Sequence, residues 1–203
     1  MSFFSAESVS LAFGGIQALA NVSFAVEERE VFAIIGPNGA GKTSVFNVIT
    51  RVFDPDDGVI RIDGTDITRI PKHHVVRHGI ARTFQNIELF EGATVQDNLL
   101  LGRHRFPIGN LATQCLFSPG VRRGEALARE RIESIIDLLE LAPYRDVPVA
   151  GLPYGVRKIV ELGRALAAEP RMLLLDEPAS GLNPEETRDL SFWIEDLRDE
   201  LGI

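Results

Sequence analysis

A short glycine-rich run carries the residue types needed to bind a polyphosphate. Glycines at positions 36, 39 and 41 leave room for backbone N–H groups to point inward at an anion. Lys42 adds a positive charge for the β- and γ-phosphates, and Thr43 offers a hydroxyl group to Mg²⁺. The run therefore predicts a phosphate-binding P-loop. The residues expected to contact the phosphates are Gly36, Pro37, Asn38, Gly39, Ala40, Gly41, Lys42, Thr43 and Ser44.

The residues on either side of this run have the pattern that a P-loop requires. Residues 31–35 are all apolar and are typical of a strand buried on both faces. Val45, Phe46 and Ile49 recur at helical spacing, which predicts a helix that starts near Lys42. The alternative is a glycine-rich surface turn that matches by accident, roughly a one-in-a-hundred event in a chain of this length.

An acidic pair follows a second apolar run, Met172–Leu175, which predicts another strand. Asp176 at the end of this strand can hold Mg²⁺ through water, and Glu177 can orient and deprotonate an attacking water molecule. Alone, the pair would be better interpreted as a solvated strand end. Together with the P-loop it favours a catalytic role and an α/β fold with a P-loop NTPase core.

Composition excludes several classes of function. With 203 residues and 45% hydrophobic content the chain can bury a full core. The net charge of −8 argues against nucleic acid and against an anionic membrane surface as the main partner. A basic cluster between Arg69 and His78 is more typical of a solvated helix face.

Two further observations concern the location of the protein. The longest apolar run has five residues and is far too short to span a membrane. The single cysteine, Cys115, excludes an internal disulfide and fits a reducing compartment. We therefore expect a cytoplasmic protein whose membrane role depends on a partner.

Alternating patterns at 8–13 and 20–26 predict an antiparallel β ribbon at the N-terminus. Further along, we expect a strand at 59–64, a short helix between Pro71 and Gly79, and a buried strand at 80–84.

Residues 88–151 have a helical character. An apolar face at helical spacing supports this prediction, and an irregular surface segment is expected at 106–120. The residues of the face are Ala128, Ile132, Ile135, Ile136 and Leu139.

A last helix is predicted after Asn183, with Pro184 at its first position and an acidic first turn. Its expected buried stripe consists of Leu190, Trp193, Ile194, Leu197 and Leu201. The predicted organisation is a P-loop α/β core in two parts, 1–87 and 152–203, interrupted by a helical subdomain at 88–151.

Taken in order, these motifs resemble the nucleotide-binding subunits of ABC transporters over essentially the whole chain. Besides the P-loop and residues 173–178 (LLLDEP), residues 83–86 (TFQN) look like the Q-loop of that family. Residues 180–183 (SGLN) look like its D-loop, and residues 152–156 (LPYGV) fall where its signature motif belongs.

The resemblance implies ATP and Mg²⁺ as ligands. Thr43, Gln85 and Asp176 would hold the metal, Gln85 through its amide oxygen, although Gln85 could instead simply cap its strand. Phe13 would stack on the adenine, but a core or hairpin aromatic is nearly as good an interpretation. Glu177 would be the catalytic residue.

The signature segment departs from the family pattern. Pro153 and Tyr154 occupy the positions of the usual serine and first glycine, and Val156 replaces a polar residue. Gly155 and the start of the following helix remain, so backbone contacts from residues 153–155 to a phosphate can persist. A tyrosine and glycine at this place are similar to the subfamily that energises uptake of branched-chain and other hydrophobic amino acids.

A second departure is the absence of the family's switch histidine. All four histidines lie between His73 and His104, and the chain ends at Ile203 before another strand could carry one. The interpretation that we favour is a C-terminally truncated chain, natural or engineered, that binds ATP better than it hydrolyses it.

The resemblance implies an ATPase of an ABC importer, peripheral on the inner face of the cell membrane. Its partners would be membrane permease subunits, an identical or different second ATP-binding subunit and, indirectly, a solute-binding protein. The alternatives are a soluble ABC ATPase of DNA repair or chromosome maintenance, a nucleotide-binding module without hydrolysis and a small nucleotide kinase. The transported solute is left open by the sequence.

Overall fold

The computed structural model describes residues 2–83, 87–106 and 119–203, which form two compact units. One unit contains the residues up to Ile80 together with Glu195–Ile203, and the other contains Ala81–Ile194. None of the helices within these described ranges is long and apolar enough to cross a membrane. The domain boundaries expected at 87 and 151 stay a prediction.

The first unit is built on an antiparallel sheet in the strand order β2-β1-β3-β4. Alternate residues of β1, among them Phe4 and Ala6, are buried, as the period-two pattern requires. The first two strands form the predicted N-terminal ribbon, which is confirmed. The strands are β1 (Phe4–Phe13), β2 (Ile16–Val26), β3 (Asp57–Ile62) and β4 (Thr65–Asp66).

Helix α1 (Lys42–Ile49) starts where the sequence predicts, but the buried strand expected before it is absent. Residues 31–35 form no strand, and Val31 and Ile35 are exposed. A strand needs a neighbour that supplies ladder hydrogen bonds, and none of the described strands pairs with this segment. The apolar run alone therefore predicted the wrong local structure.

The basic cluster belongs to a 3₁₀-helix, Lys72–His78. It follows Pro71 and ends at Gly79, whose φ of 82° is left-handed, as the turn residues predict. Val75 is the buried residue of this helix, whereas Lys72, His73 and Arg77 are exposed. The interpretation as a solvated helix face fits this arrangement.

The second unit contains a two-stranded sheet and most of the helices. Strand β5 (Ile80–Thr83), which begins at the unit boundary, pairs with β6 (Met172–Leu175), and both strands were predicted. The α-helices are α2 (Val95–Gly102), α3 (Pro119–Leu138), α4 (Tyr154–Leu166) and α5 (Pro184–Asp199), and short 3₁₀-helices lie at Arg103–Arg105, Ala142–Tyr144 and Val149–Gly151.

Helix α3 buries the apolar face that its spacing predicts. Ala128, Ile132 and Ile136 are buried, as is Leu139 just after the helix, while Ile135 is half-buried. The irregular segment expected at 106–120 lies largely outside the described residues, and its last two residues belong to the first turn of α3.

Helix α5 begins with the cap that the sequence predicts. The side-chain oxygen of Asn183 accepts hydrogen bonds from the backbone N–H groups of Glu185 and Glu186, and the Glu186 carboxylate accepts one from the Asn183 N–H, which makes a capping box. Leu190 and Leu197 are buried, but Leu201 is 52% exposed. Leu201 was wrongly placed in the buried stripe, because α5 ends at Asp199.

Candidate functional site

The glycine-rich loop opens directly into α1. Gly41 precedes the helix with a left-handed φ of 88°, and no side chain caps the first turn, which also lacks an acidic residue. A Cβ atom on Gly41 would lie 2.6 Å from the carbonyl oxygen of Ala18, so the loop passes too close to β2 for any other residue. The uncapped N–H groups and the helix dipole make this turn suitable for an anion.

Lys42 folds back over the loop that precedes it. Its Nζ atom donates hydrogen bonds to the carbonyl oxygens of Gly36, at 2.7 Å, and Pro37, at 2.9 Å. The same loop is closed by a hydrogen bond from the Ala40 N–H to the Pro37 carbonyl. The ammonium group therefore lies within the ring of the P-loop, where its charge is available to a phosphate.

The other predicted residues of the loop lie around this ring. Thr43 is exposed and Ser44 is half-buried in the first turn of α1. Pro37, Asn38 and Ala40 are exposed. Their roles at the phosphates stay predictions.

Phe13 lies at the end of β1, next to the turn of the β1–β2 hairpin. Its ring is 43% exposed and meets the Phe53 ring edge-on, with 4.9 Å between the ring centroids. Phe13 is thus a hairpin aromatic and not a core residue. Its exposed surface is compatible with stacking on a base, which stays a prediction.

Asp176 is the first residue after β6, and its carboxylate is buried. The Nη2 atom of Arg82 donates a hydrogen bond to Asp176 Oδ2 at 2.7 Å, and the two side chains are only 7% and 6% exposed. Sequence reasoning did not single out Arg82. The available signal was a charged residue inside a strand that was itself predicted to be buried, since such a residue requires a partner.

Glu177 is exposed and has a left-handed backbone with a φ of 49°, which is uncommon for a residue other than glycine. Its carbonyl oxygen accepts hydrogen bonds from the Ser180 N–H, at 3.0 Å, and from Lys158 Nζ, at 3.2 Å. The turn after β6 is therefore held at its backbone. This leaves the Glu177 side chain at the surface of the second unit.

Lys158 is a second residue that sequence reasoning missed. Its ammonium group also donates to the Pro178 carbonyl and lies 5.7 Å from the centre of the Tyr154 ring. Burial lowers the pKa of Lys158, while the negative charges of Glu161 and Glu177 oppose this shift. Lys158 thus ties helix α4 to the turn that carries Glu177.

The signature segment and the D-loop contact each other at two glycines. A Cβ atom on Gly155 would overlap the Glu186 carboxylate, and one on Gly181 would lie 2.7 Å from Cε1 of Tyr154. Pro153 precedes α4 without a side-chain cap, and Tyr154 is 47% exposed. The chemistry here is that of an uncapped helix start with a carboxylate beside its first turn.

The structure divides the predicted site between its two units. The P-loop and Phe13 belong to the first unit, whereas Asp176, Glu177 and residues 153–155 belong to the second. Gln85 lies outside the described residues. Within the described ranges, no group of three or more histidine, cysteine, aspartate or glutamate side chains is placed to hold a metal ion.

A P-loop that opens into a helix, together with a buried carboxylate at a strand end, is typical of nucleoside triphosphatases. The ABC transporter family model matches residues 19–180. The chain is 41% identical to the high-affinity branched-chain amino acid transport ATP-binding protein BraF of Pseudomonas aeruginosa, over 96% of the chain and 76% of that protein. It is 36% identical to the corresponding protein LivG of Escherichia coli K12, over 96% of the chain and 76% of LivG.

A solved structure agrees with these similarities. The ADP conformation of MJ1267, an ATP-binding cassette of an ABC transporter, matches 100% of the chain and 79% of its own length, with a TM-score of 0.85 and 32% identity. The chain therefore belongs to the ABC transporter family. It has the P-loop NTPase fold of that family's ATP-binding subunits, which are ATPases coupled to transport.

Proposed function

We propose that this chain is the ATP-hydrolysing subunit of an importer for branched-chain or other hydrophobic amino acids. The similarity to BraF, at 41% identity over 96% of the chain, carries the proposal. The tyrosine and glycine at 154 and 155 support it, because they resemble the signature segment of that subfamily. The family relatives do not favour the alternative of a soluble repair ATPase.

ATP would bind with its phosphates in the P-loop. The geometry that supports this role is the position of Lys42, whose ammonium group already lies in the loop on the carbonyls of Gly36 and Pro37. A phosphate oxygen would take over part of that hydrogen bonding and form a charge-assisted bond, which is stronger than a bond to a carbonyl. Phe13 would stack on the adenine from the edge of the hairpin.

Hydrolysis would use the acidic pair after β6. Glu177 would orient and deprotonate a water molecule for in-line attack on the γ-phosphate. Thr43, Gln85 and Asp176 would hold Mg²⁺, and their oxygen atoms are of the type that this ion prefers. The buried carboxylate of Asp176 pairs with Arg82 through Oδ2 only, so its other oxygen could face a water molecule of the metal. When bound, Mg²⁺ offsets the charge that develops on the phosphates.

A second ATP-binding subunit would complete each site. Residues 153–155 and the first turn of α4 would face the γ-phosphate of ATP bound to that subunit. This turn has no side-chain cap and no acidic residue of its own sequence, which favours contact with an anion, but the Glu186 carboxylate beside Gly155 would have to move away to admit a phosphate.

The membrane permease subunits would dock on the 88–151 segment, which places the chain at the inner face of the cell membrane. Phe90 is 62% exposed and Leu101 is 47% exposed, so apolar surface is available there. The buried Asn98 holds Phe90 in place, because its side-chain amide both accepts from the Phe90 N–H and donates to the Phe90 carbonyl. The solute-binding protein would act only through the permease.

Replacement of Glu177 by glutamine tests the catalytic assignment. Glu177→Gln should leave ATP binding intact and lower the turnover rate by about 10²–10⁴-fold, the usual contribution of a positioned base. Glu185→Gln is the matched control, since Glu185 is an exposed glutamate in the first turn of α5. Equal turnover in the two variants would show that Glu177 is not the base.

Uptake measurements test the substrate class. Vesicles that contain the protein with its permease subunits and solute-binding protein should accumulate labelled leucine in an ATP-dependent manner, and Glu177→Gln should abolish that accumulation. Sulfate uptake serves as the control for solute class. ATP-dependent uptake of sulfate without uptake of leucine would contradict the proposed substrate.

A further inference from the structure

Arg82 is a charged residue in the middle of a buried strand. It lies in β5 between Ala81 and Thr83, both of which are buried, and its own side chain is 7% exposed. An arginine in such a position must be paired. It pairs with Asp176, the residue proposed above to face Mg²⁺.

The pairing follows from the sheet. Strands β5 and β6 are neighbours, and Asp176 is the residue that follows β6, so its carboxylate lies beside the adjacent strand. The result is a 2.7 Å hydrogen bond from Arg82 Nη2 to Asp176 Oδ2. Only one of the two carboxylate oxygens is used: Oδ1 accepts no hydrogen bond from any residue that the structure describes.

A gain in fold stability does not readily explain why a buried ion pair is present here. Replacement of a buried ion pair by apolar residues of similar volume is often neutral or stabilising, because the desolvation of two charges offsets their attraction. Stability alone therefore does not explain why this pair is present, whereas the metal-binding role proposed for Asp176 does. Residues that hydrogen-bond to metal ligands orient those ligands. Loss of such an orienting residue typically weakens metal affinity or activity by about 10–100-fold.

We infer that Arg82 is a positioning residue for the metal-binding carboxylate of Asp176. By holding Oδ2, Arg82 prevents rotation of the carboxylate and keeps Oδ1 as the oxygen presented to a water molecule of the metal. This inference rests on the proposed function. It assigns a role to a residue that belongs to none of the motifs of the resemblance.

Two effects of Arg82 on metal affinity have opposite signs. As a cation near the site, Arg82 repels Mg²⁺, so its removal would tighten metal binding. As an orienting partner, it preorganises the carboxylate, so its removal would weaken metal binding. The inference requires that the second effect is the larger one.

The experiment measures Mn²⁺ binding, with Mn²⁺ as a spectroscopic substitute for Mg²⁺, by electron paramagnetic resonance of the purified protein with bound ATP. Arg82→Gln should weaken Mn²⁺ binding by about 10–100-fold and leave the affinity for ATP in excess chelator unchanged. Arg82→Lys should restore part of the metal affinity, since it keeps the charge but not the planar fork.

Arg103→Gln is the matched control. Arg103 also belongs to the second unit, is 14% exposed, and pairs with Glu169 at 3.0 Å, so it reports the general effect of losing a poorly exposed arginine. Its Mn²⁺ affinity should equal that of the wild type. If both variants weakened Mn²⁺ binding equally, the effect would be structural and the inference would fail.

A double variant shows whether Arg82 affects metal affinity through Asp176 or in some other way. In an Asp176→Asn background, Arg82→Gln should cause no further loss of Mn²⁺ affinity, and this double variant also avoids leaving a buried charge unpaired. A further loss of tenfold or more in that background would overturn the inference, as would tighter Mn²⁺ binding by Arg82→Gln alone. A wild-type protein that fails to bind ATP would instead refute the proposed function.

Discussion

The close approach between the P-loop and β2 at Gly41 predicts a sharp difference between two glycines of the same loop. Gly39 and Gly41 both have left-handed backbones, with φ values of 83° and 88°. A Cβ atom on Gly39 would meet nothing within 4 Å, whereas one on Gly41 would lie 2.6 Å from the Ala18 carbonyl oxygen and 3.2 Å from Leu19 Cδ2. Substitution by alanine therefore isolates the steric contact, because the backbone strain is shared.

The magnitude follows from adding these two effects. An alanine with a left-handed backbone costs about 1–2 kcal/mol at either position. At Gly41, relief of the overlap requires α1 to move away from a backbone carbonyl, which adds about 1–3 kcal/mol of overpacking. The free energy of unfolding should thus fall by about 1–2 kcal/mol in Gly39→Ala and by about 2–5 kcal/mol in Gly41→Ala.

Urea unfolding of both variants, followed by circular dichroism, measures these differences. A movement of the first turn of α1 should also weaken ATP binding more in Gly41→Ala than in Gly39→Ala, since the N–H groups of that turn are expected to face the phosphates. Equal unfolding free energies for the two variants would refute the reasoning, because only the contact with β2 distinguishes them.

Three further predictions concern stability. Asn183→Ala removes the acceptor of two backbone N–H groups at the start of α5 and should lower the free energy of unfolding by about 1–2 kcal/mol in urea. Hydrogen bonds from the Thr68 side chain and backbone hold the pKa of Asp66 below its ordinary value of 3.8, so the stability that Asp66 contributes is present above pH 3.8 and is lost as the pH falls through the lowered pKa. The stability difference between wild type and Asp66→Asn should therefore shrink from pH 6 to pH 3, and a constant difference would contradict this assignment. Because burial lowers the pKa of Lys158 below 10.5, the unfolded chain binds more protons just below that pH, so the wild type should gain stability relative to Lys158→Met as the pH rises from 8 towards 10.

The sequence predicted the local elements that depend on local chemistry. The capping box at Asn183, the glycine before α1 and the period-two ribbon of β1 and β2 are each determined by residues within a few positions of one another. The apolar segment at 31–35 was predicted wrongly because a strand is defined by its neighbours, which a linear pattern does not contain. The prediction that Leu201 is buried was wrong for a related reason, since helical spacing does not show where a helix ends.

The candidate site shows the same limit at the level of side chains. The P-loop and the acidic pair were found because their residue types are diagnostic at fixed spacing. Arg82 and Asp176 are 94 positions apart, and Lys158 reaches the Glu177 carbonyl from a helix 19 positions upstream. Such contacts depend on which strands and helices become neighbours, so the sequence could indicate only that a buried arginine needs an unnamed partner.

Two of the charged groups proposed to act on ATP already make hydrogen bonds within the protein. Lys42 is bound to two backbone carbonyls of its own loop, and the Asp176 carboxylate is bound to Arg82. The Lys42 ammonium group has three N–H donors, so a phosphate can accept the third or replace a carbonyl oxygen, and a hydrated metal ion can use the second oxygen of Asp176 without displacing Arg82. The bond from Lys42 to a phosphate is charge-assisted and therefore favourable. Binding of the metal ion keeps the hydrogen bond between Arg82 and Asp176. The orientation of Asp176 can therefore be the same before and after the metal binds, which is the condition for a preorganised site.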